Sequence, residues 1–190
     1  EDVDVCVELH RKLGPAEAVA LAAKLEPFDL LYIEDPIPPD SIASMAEVAR
    51  KVNIPIATGE RLHTVYEFKE VLESQAAQDL KLDVGLHGGI TQCKKIAGMA
   101  EAYHATVSPH NAWGPVLTAA HVQLCADVPT FLVLEYRHGE PPEGDVVMEP
   151  LKVENGYIKV PDSPGIGVEL NEEAARKYPY VPREIATATR

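Results

Sequence analysis

The stretch VCVELHRK, residues 5–12, begins as a buried β-strand and then sets Glu8 and His10 where a core would call for apolar groups. One polar stop says little, because the segments that follow strands run over the surface. Here the event recurs. LLYIE (30–34) ends in Glu34, PIATGE (55–60) in Glu60 and ATVSPH (105–110) in His110, while LKLDV (80–84) carries Asp83 and FLVLEY (131–136) carries Glu135. Positions 8, 34 and 60 stand 26 residues apart, position 110 lies 50 further on, and 135 follows after another 25.

The intervals between these six runs carry helical spacing. PAEAVALAAKL places Ala18, Leu21, Ala22 and Leu25 on one face, with Pro15 suited to a first turn and Glu17 beside it. Asp40 is read as the cap of the next helix, Thr64 as the start of a third and Thr91 of a fourth, and GPVLTAAHVQLCA gives a fifth. Strand alternating with helix predicts an α/β fold with a parallel sheet. So even a repeat favours a TIM-like (β/α) barrel over a doubly wound sheet, and a barrel carries its active site at the C-terminal ends of its strands. A full barrel has eight strands in about 250 residues. The reading is therefore of the C-terminal part of a barrel, about six βα units over residues 1–137, with an N-terminal portion holding about two further strands absent. In the extension, 138–190, HGEPPEGD reads as a turn-rich linker, VENGY as an Asn-Gly hairpin and KVPDSPGIGVEL as an extended excursion. It is expected to cover the barrel mouth or to pack on the absent segment.

Composition bounds the function. The 190 residues are 46% hydrophobic and 6% aromatic, an ordinary globular balance. No run approaches the roughly 18 apolar residues of a membrane span and EDVDV has no basic leader, so the chain is read as cytoplasmic or as lacking its beginning. Cys6, Cys93 and Cys125, odd in number and widely spaced, are read as buried hydrophobes rather than a disulfide set or zinc site. A net charge of −13 argues against nucleic acid, and an acidic chain that binds an acidic small molecule needs a local cation to reverse the sign.

Glu8, Glu34 and Glu60 would project from three successive strands into one site. Three carboxylates that close repel one another by several kcal/mol at low dielectric unless a cation intervenes, and hard oxygen ligands suit Mg²⁺. The plain alternative is that strand-to-helix loops are polar. His110 lies beside Asp83 on the neighbouring strand, an arrangement for a carboxylate-oriented base. His10, two residues after Glu8, shares its side by strand alternation and is a candidate proton donor to a leaving group. Glu135 is expected to be a buried polar group facing the same mouth. Trp113 either walls the pocket or packs. His63, His87, His104, His121 and His138 show no ligand spacing and are read as structural or exposed, and HGG at 87–89 is too sparse for a dinucleotide site.

The series VELH, LLYIEDP, PIATGER, LDVGLHGGITQCKKIAGMAEAY, VSPHNAWGP and LEY resembles the barrel of the enolase superfamily, mandelate racemase subgroup, and its sugar-acid dehydratases of galactonate, gluconate or mannonate type. The likeness covers residues 2–137 and, less distinctly, the tail. It implies Glu8, Glu34 and Glu60 as Mg²⁺ ligands, His110 with Asp83 as base, His10 as acid and Glu135 as partner of the substrate carboxylate. It also implies an N-terminal capping domain ahead of the barrel, a small sugar-acid substrate, no nucleic acid or membrane partner, and a homo-oligomer for the full-length protein. The implied reaction is dehydration of an aldonate through an enediolate to a 2-keto-3-deoxy acid. Racemisation or epimerisation is one rival and a non-catalytic truncated chain another. The sequence departs from the family in two places. The first ligand, usually Asp, is Glu8, and the usual Gln-Pro-Asp is Lys81-Leu82-Asp83.

Overall fold

Five short parallel strands, β1 (Cys6–Glu8), β2 (Tyr32–Glu34), β3 (Ile56–Thr58), β4 (Asp79–Leu80) and β5 (Thr106–Val107), lie side by side in the order of the sequence. The structure, a computed structural model, describes residues 3–137 and 143–179. Each strand pairs with the next, and α1 (Pro15–Leu25), α2 (Ile42–Ala49), α3 (Val65–Glu73) and α4 (Ile90–Ala102) make the crossovers, with α5 (Pro115–Cys125) after β5. A doubly wound sheet reverses direction at a switch point. This sheet has no reversal, which is the winding of a barrel wall.

The sequence runs are longer than the strands they become. FLVLEY meets β5 through one parallel bridge, Val107 to Phe131, so five strands form where six runs were marked. The reason is chemical. Thr130 O and Leu132 N bond Val107, and the next ladder donor would be residue 109, a proline with no N–H. β4 likewise ends at Leu80, and Asp83 sits three residues later in the turn that leads to α4.

Local chemistry explains the helix starts. Ser41, rather than Asp40, caps α2 by accepting from Ser44 N at 3.2 Å. Thr64 and Glu67 form a reciprocal capping box on α3. α4 begins at Ile90 after Gly88 and Gly89, both at positive φ, one residue before the expected Thr91. The faces turned to the sheet carry Ala18 and Ala22, Met45 and Val48, Phe68 and Val71, and Ile96 and Ala100, all at most 2% exposed. Cys93 joins this core, whereas Cys6 on the outer strand β1 is exposed and Cys125 is half-buried, so one of three cysteines is the buried hydrophobe expected. Val3, Val5, Phe131, Leu132 and Val133, along the two flanks of the sheet, are exposed as well.

Gly59 positions the end of β3. Its φ is +147°, and a Cβ there would meet the Phe68 ring at 2.9 Å and the Lys81 carbonyl at 3.0 Å. Gly59→Ala is therefore expected to destabilise the protein by about 3 kcal/mol, from backbone strain and overpacking together. Denaturant unfolding checks this, and a loss within a few tenths would show that the loop relaxes freely.

From residue 143 the chain forms a hairpin, β6 (Val153–Glu154) with β7 (Tyr157–Ile158), turned by Asn155 and Gly156 at positive φ as the Asn-Gly signal predicts. A short helix, α6 (Glu172–Arg176), follows. Most of the HGEPPEGD stretch, with His138, lies outside the described residues. No described helix is long and apolar enough to cross a membrane.

Candidate active site

Register brings the acidic groups together. Glu8 and Glu34 are partners across β1 and β2, and Glu60 follows β3 by two residues, through Gly59. One oxygen from each of the three lies within 4.8 Å of the others. Glu34 and Glu60 are buried, and Glu8 stands at the more open rim. Burial raises Glu34 to about 8, with Lys81 pulling it down and Glu8 pushing it up. Burial raises Glu8 too, against its bonds to Glu34 and the His10 amide.

Two cations sit within this cluster. Lys81, 2% exposed, places Nζ 3.2 Å from Glu34 Oε2 and 3.4 Å from the Tyr32 hydroxyl. Burial disfavours its charge, yet Glu34, Tyr32 and Glu135 raise its pKa. The Arg11 guanidinium donates to Asp35 Oδ2 at 2.7 Å and to Glu60 Oε1, and Asp35 accepts from Thr58 Oγ1 at 2.6 Å. Four carboxylates against two fixed cations leave a net negative, all-oxygen donor set, which fits a hard divalent ion such as Mg²⁺.

The raised Glu34 pKa has a consequence for stability. The unfolded chain ionises this carboxyl near 4.5 and the folded one near 8, so the folded state holds the proton more tightly between those values. The melting temperature of the metal-free protein is expected to fall as pH rises from 5 to 8, and saturating Mg²⁺ to remove most of that fall. Scanning calorimetry with and without the ion checks it.

The dyad side of the site is built around Asp83, which is fully buried. Its Oδ2 accepts from His110 Nδ1 at 2.7 Å and Trp113 Nε1 at 2.6 Å, and Oδ1 accepts from the Gly85 amide at 2.7 Å. Burial opposes its ionisation, but these donors hold its pKa below the ordinary value. For His110, burial disfavours the imidazolium. The bond to Asp83 and the charges of Glu135 and Glu60 outweigh it and raise the pKa. With Nδ1 committed to Asp83, Nε2 faces the triad, 3.3 Å from Glu60 Oε2.

Several expected residues sit differently from their sequence reading. Glu135 is half-buried rather than buried, and its carboxylate accepts from the Asn111 amide at 3.0 Å. His10 reaches the rim by another route than strand alternation. His10 and Arg11 both adopt positive φ, and this turn lays the ring 3.8 Å from Glu8 Oε1 and 2.7 Å from the Arg11 guanidinium. Trp113 is about half exposed and stacks edge-on to His110, so it borders the site and fixes the dyad at once. A cleft of about 530 Å³ opens beside it, lined also by Pro115, Thr118 and residues 150–154 of the extension.

His87 and His121 are structural in an informative way. His87 Nδ1 accepts from the Asp83 amide at 2.8 Å and His121 Nε2 from the Val84 amide at 3.0 Å. Burial lowers both to about 4, so they stay neutral and can act as acceptors that pin the Asp83 backbone. No ligand spacing marks them because their partners are main-chain groups. Lys81 was visible as a departure from a family pattern, and Arg11 and Asp35 gave no signal beyond following the strand ends.

Comparison with known proteins places this geometry. Residues 1–174 match the family described as "Enolase C-terminal domain-like". The D-galactonate dehydratase family member RspA of Halomonas elongata is 32% identical over 182 residues, 95% of this chain and 45% of the relative. The D-gluconate dehydratase of Thermoproteus tenax is 34% identical over 187 residues, 97% of this chain and 38% of the relative. The chain thus spans under half the length of these curated relatives. Among solved structures, the mandelate racemase/muconate lactonizing enzyme from Sulfitobacter sp. superposes with a TM-score of 0.91 at 42% identity, covering 95% of this chain and 45% of that one.

Proposed function

The chain belongs to the enolase C-terminal domain-like family, and from that premise we propose that it carries the catalytic groups of a Mg²⁺-dependent dehydratase acting on a sugar acid of the aldonate class. In this reading residues 1–137 hold the chemistry and 138–190 form an extension against the mouth. Glu8, Glu34 and Glu60 would hold the ion, which when bound acts as a Lewis acid on the substrate carboxylate and lowers the cost of charge developing there.

His110 is the base. Its Nε2 takes the proton from the carbon beside the carboxylate, while Asp83 fixes the ring through Nδ1 and stabilises the imidazolium that results. Trp113, bonded to the same Asp83 oxygen, keeps that carboxylate from turning away. His10 delivers a proton to the β-hydroxyl, which departs as water, and the enol left behind tautomerises to a 2-keto-3-deoxy acid. Glu135, held by the Asn111 amide, would be the partner of the substrate acid end.

The observation that carries this reading is the meeting of an oriented imidazole with the triad, His110 Nε2 lying 3.3 Å from Glu60 Oε2. Relatives named as sugar-acid dehydratases support the substrate class. A panel of aldonic acids assayed for 2-keto acid formation tests it. Solvent deuterium entering the α-position with no keto acid formed would favour a racemase or epimerase instead.

A further inference from the structure

We propose that Lys81 and Arg11 determine which cation the carboxylate triad accepts. They occupy the second oxygen of Glu34 and of Glu60, so the site takes a small six-coordinate divalent ion in preference to a larger one. This inference rests on the reading that Glu8, Glu34 and Glu60 are metal ligands.

The contacts define the arrangement oxygen by oxygen. Glu8 Oε1 receives the His10 amide, Glu34 Oε2 faces Lys81 Nζ at 3.2 Å, and Glu60 Oε1 receives the Arg11 guanidinium. In the metal-free site the other oxygen of Glu60 faces His110 Nε2 at 3.3 Å and Glu34 bonds Glu8, contacts that a cation entering at those single oxygens would replace. Ca²⁺ takes about six to eight oxygens and commonly chelates carboxylates through both atoms, whereas Mg²⁺ demands six close ligands and retains waters. A triad restricted to single oxygens serves the second ion and starves the first.

The restriction is stiff because neither cation is free to leave. Lys81 is 2% exposed, its ammonium 5.4 Å from the centre of the Tyr32 ring and 3.4 Å from that residue's hydroxyl. Arg11 is anchored by Asp35, itself buried and held by Thr58. Breaking the Lys81 contact to free a second oxygen of Glu34 leaves a charge in the interior without its carboxylate, which is costly.

Isothermal titration calorimetry of the purified protein with MgCl₂ and with CaCl₂ tests the inference. The wild type is expected to bind Mg²⁺ more tightly. Lys81→Met and Arg11→Met are each expected to shift the Mg²⁺/Ca²⁺ affinity ratio toward Ca²⁺ by about tenfold, and Lys81→Arg to retain the wild-type ratio. If Lys81→Met fails to fold, Arg11→Met, nearer the surface, decides the question. Wild-type Mg²⁺ binding with an unchanged ratio in the folded variants overturns the inference alone. A wild type that binds neither ion overturns the triad reading and the inference with it.

Discussion

Titration of a Glu34→Gln variant with Mg²⁺ is expected to give no measurable binding under conditions where the wild type saturates. Glu34 is central among the three ligand candidates, paired in register with Glu8 and meeting Glu60 across β3. The amide keeps the shape of the side chain and removes its charge. Loss of one of three anionic ligands removes several kcal/mol of attraction for a divalent ion in a buried site. The substitution also leaves Lys81 without its carboxylate. The Gln oxygen can still accept from Nζ, and the folded site already favours the uncharged side chain at this position, so the metal-free melting temperature at neutral pH should change little while the affinity is lost. An unchanged affinity for Mg²⁺ would remove Glu34 from the ligand set.

The second large effect falls on His110, the proposed base. His110→Asn is expected to slow exchange of the substrate α-proton with D₂O, followed by NMR, by at least about 10³-fold, within the range a positioned general base supplies. Asn can still donate to Asp83 Oδ2, so the frame around Trp113 and Gly85 should persist and Mg²⁺ affinity should change little. The wild-type pH profile adds a check. The base must be neutral to act, so kcat/KM should climb with pH as the imidazolium is lost. Persistent exchange in the variant would assign the proton to another group.

Much of this architecture was legible because a barrel writes its period into the chain. An apolar run that stops at an acidic residue every 26 positions encodes both a parallel strand and the edge of a mouth, and Glu8, Glu34 and Glu60 share both roles. Other features escaped for specific reasons. The last apolar run makes one bridge instead of a strand because Pro109 interrupts the donors opposite it. His10 follows a left-handed turn, which alternation along a strand does not foresee. His87 and His121 bond the main chain, so side-chain spacing is silent about them. Lys81 reads in sequence as a substitution in a familiar motif, and only the packing of β2 against β4 across β3 shows which carboxylate it meets.

The sequential order of the five strands has a bearing on how such a protein changes over time. The candidate reactive side chains arrive on successive βα modules, Glu8 with His10 on the first and Glu34, Glu60, Asp83 and His110 on one each of the next four, and the ladders that join the modules bond main chain to main chain rather than the side-chain groups at the tips. A lineage can therefore exchange an acid, a base or a counterion at one tip and leave the scaffold intact. Reactivity is here a set of interchangeable fittings on a wall that stays put.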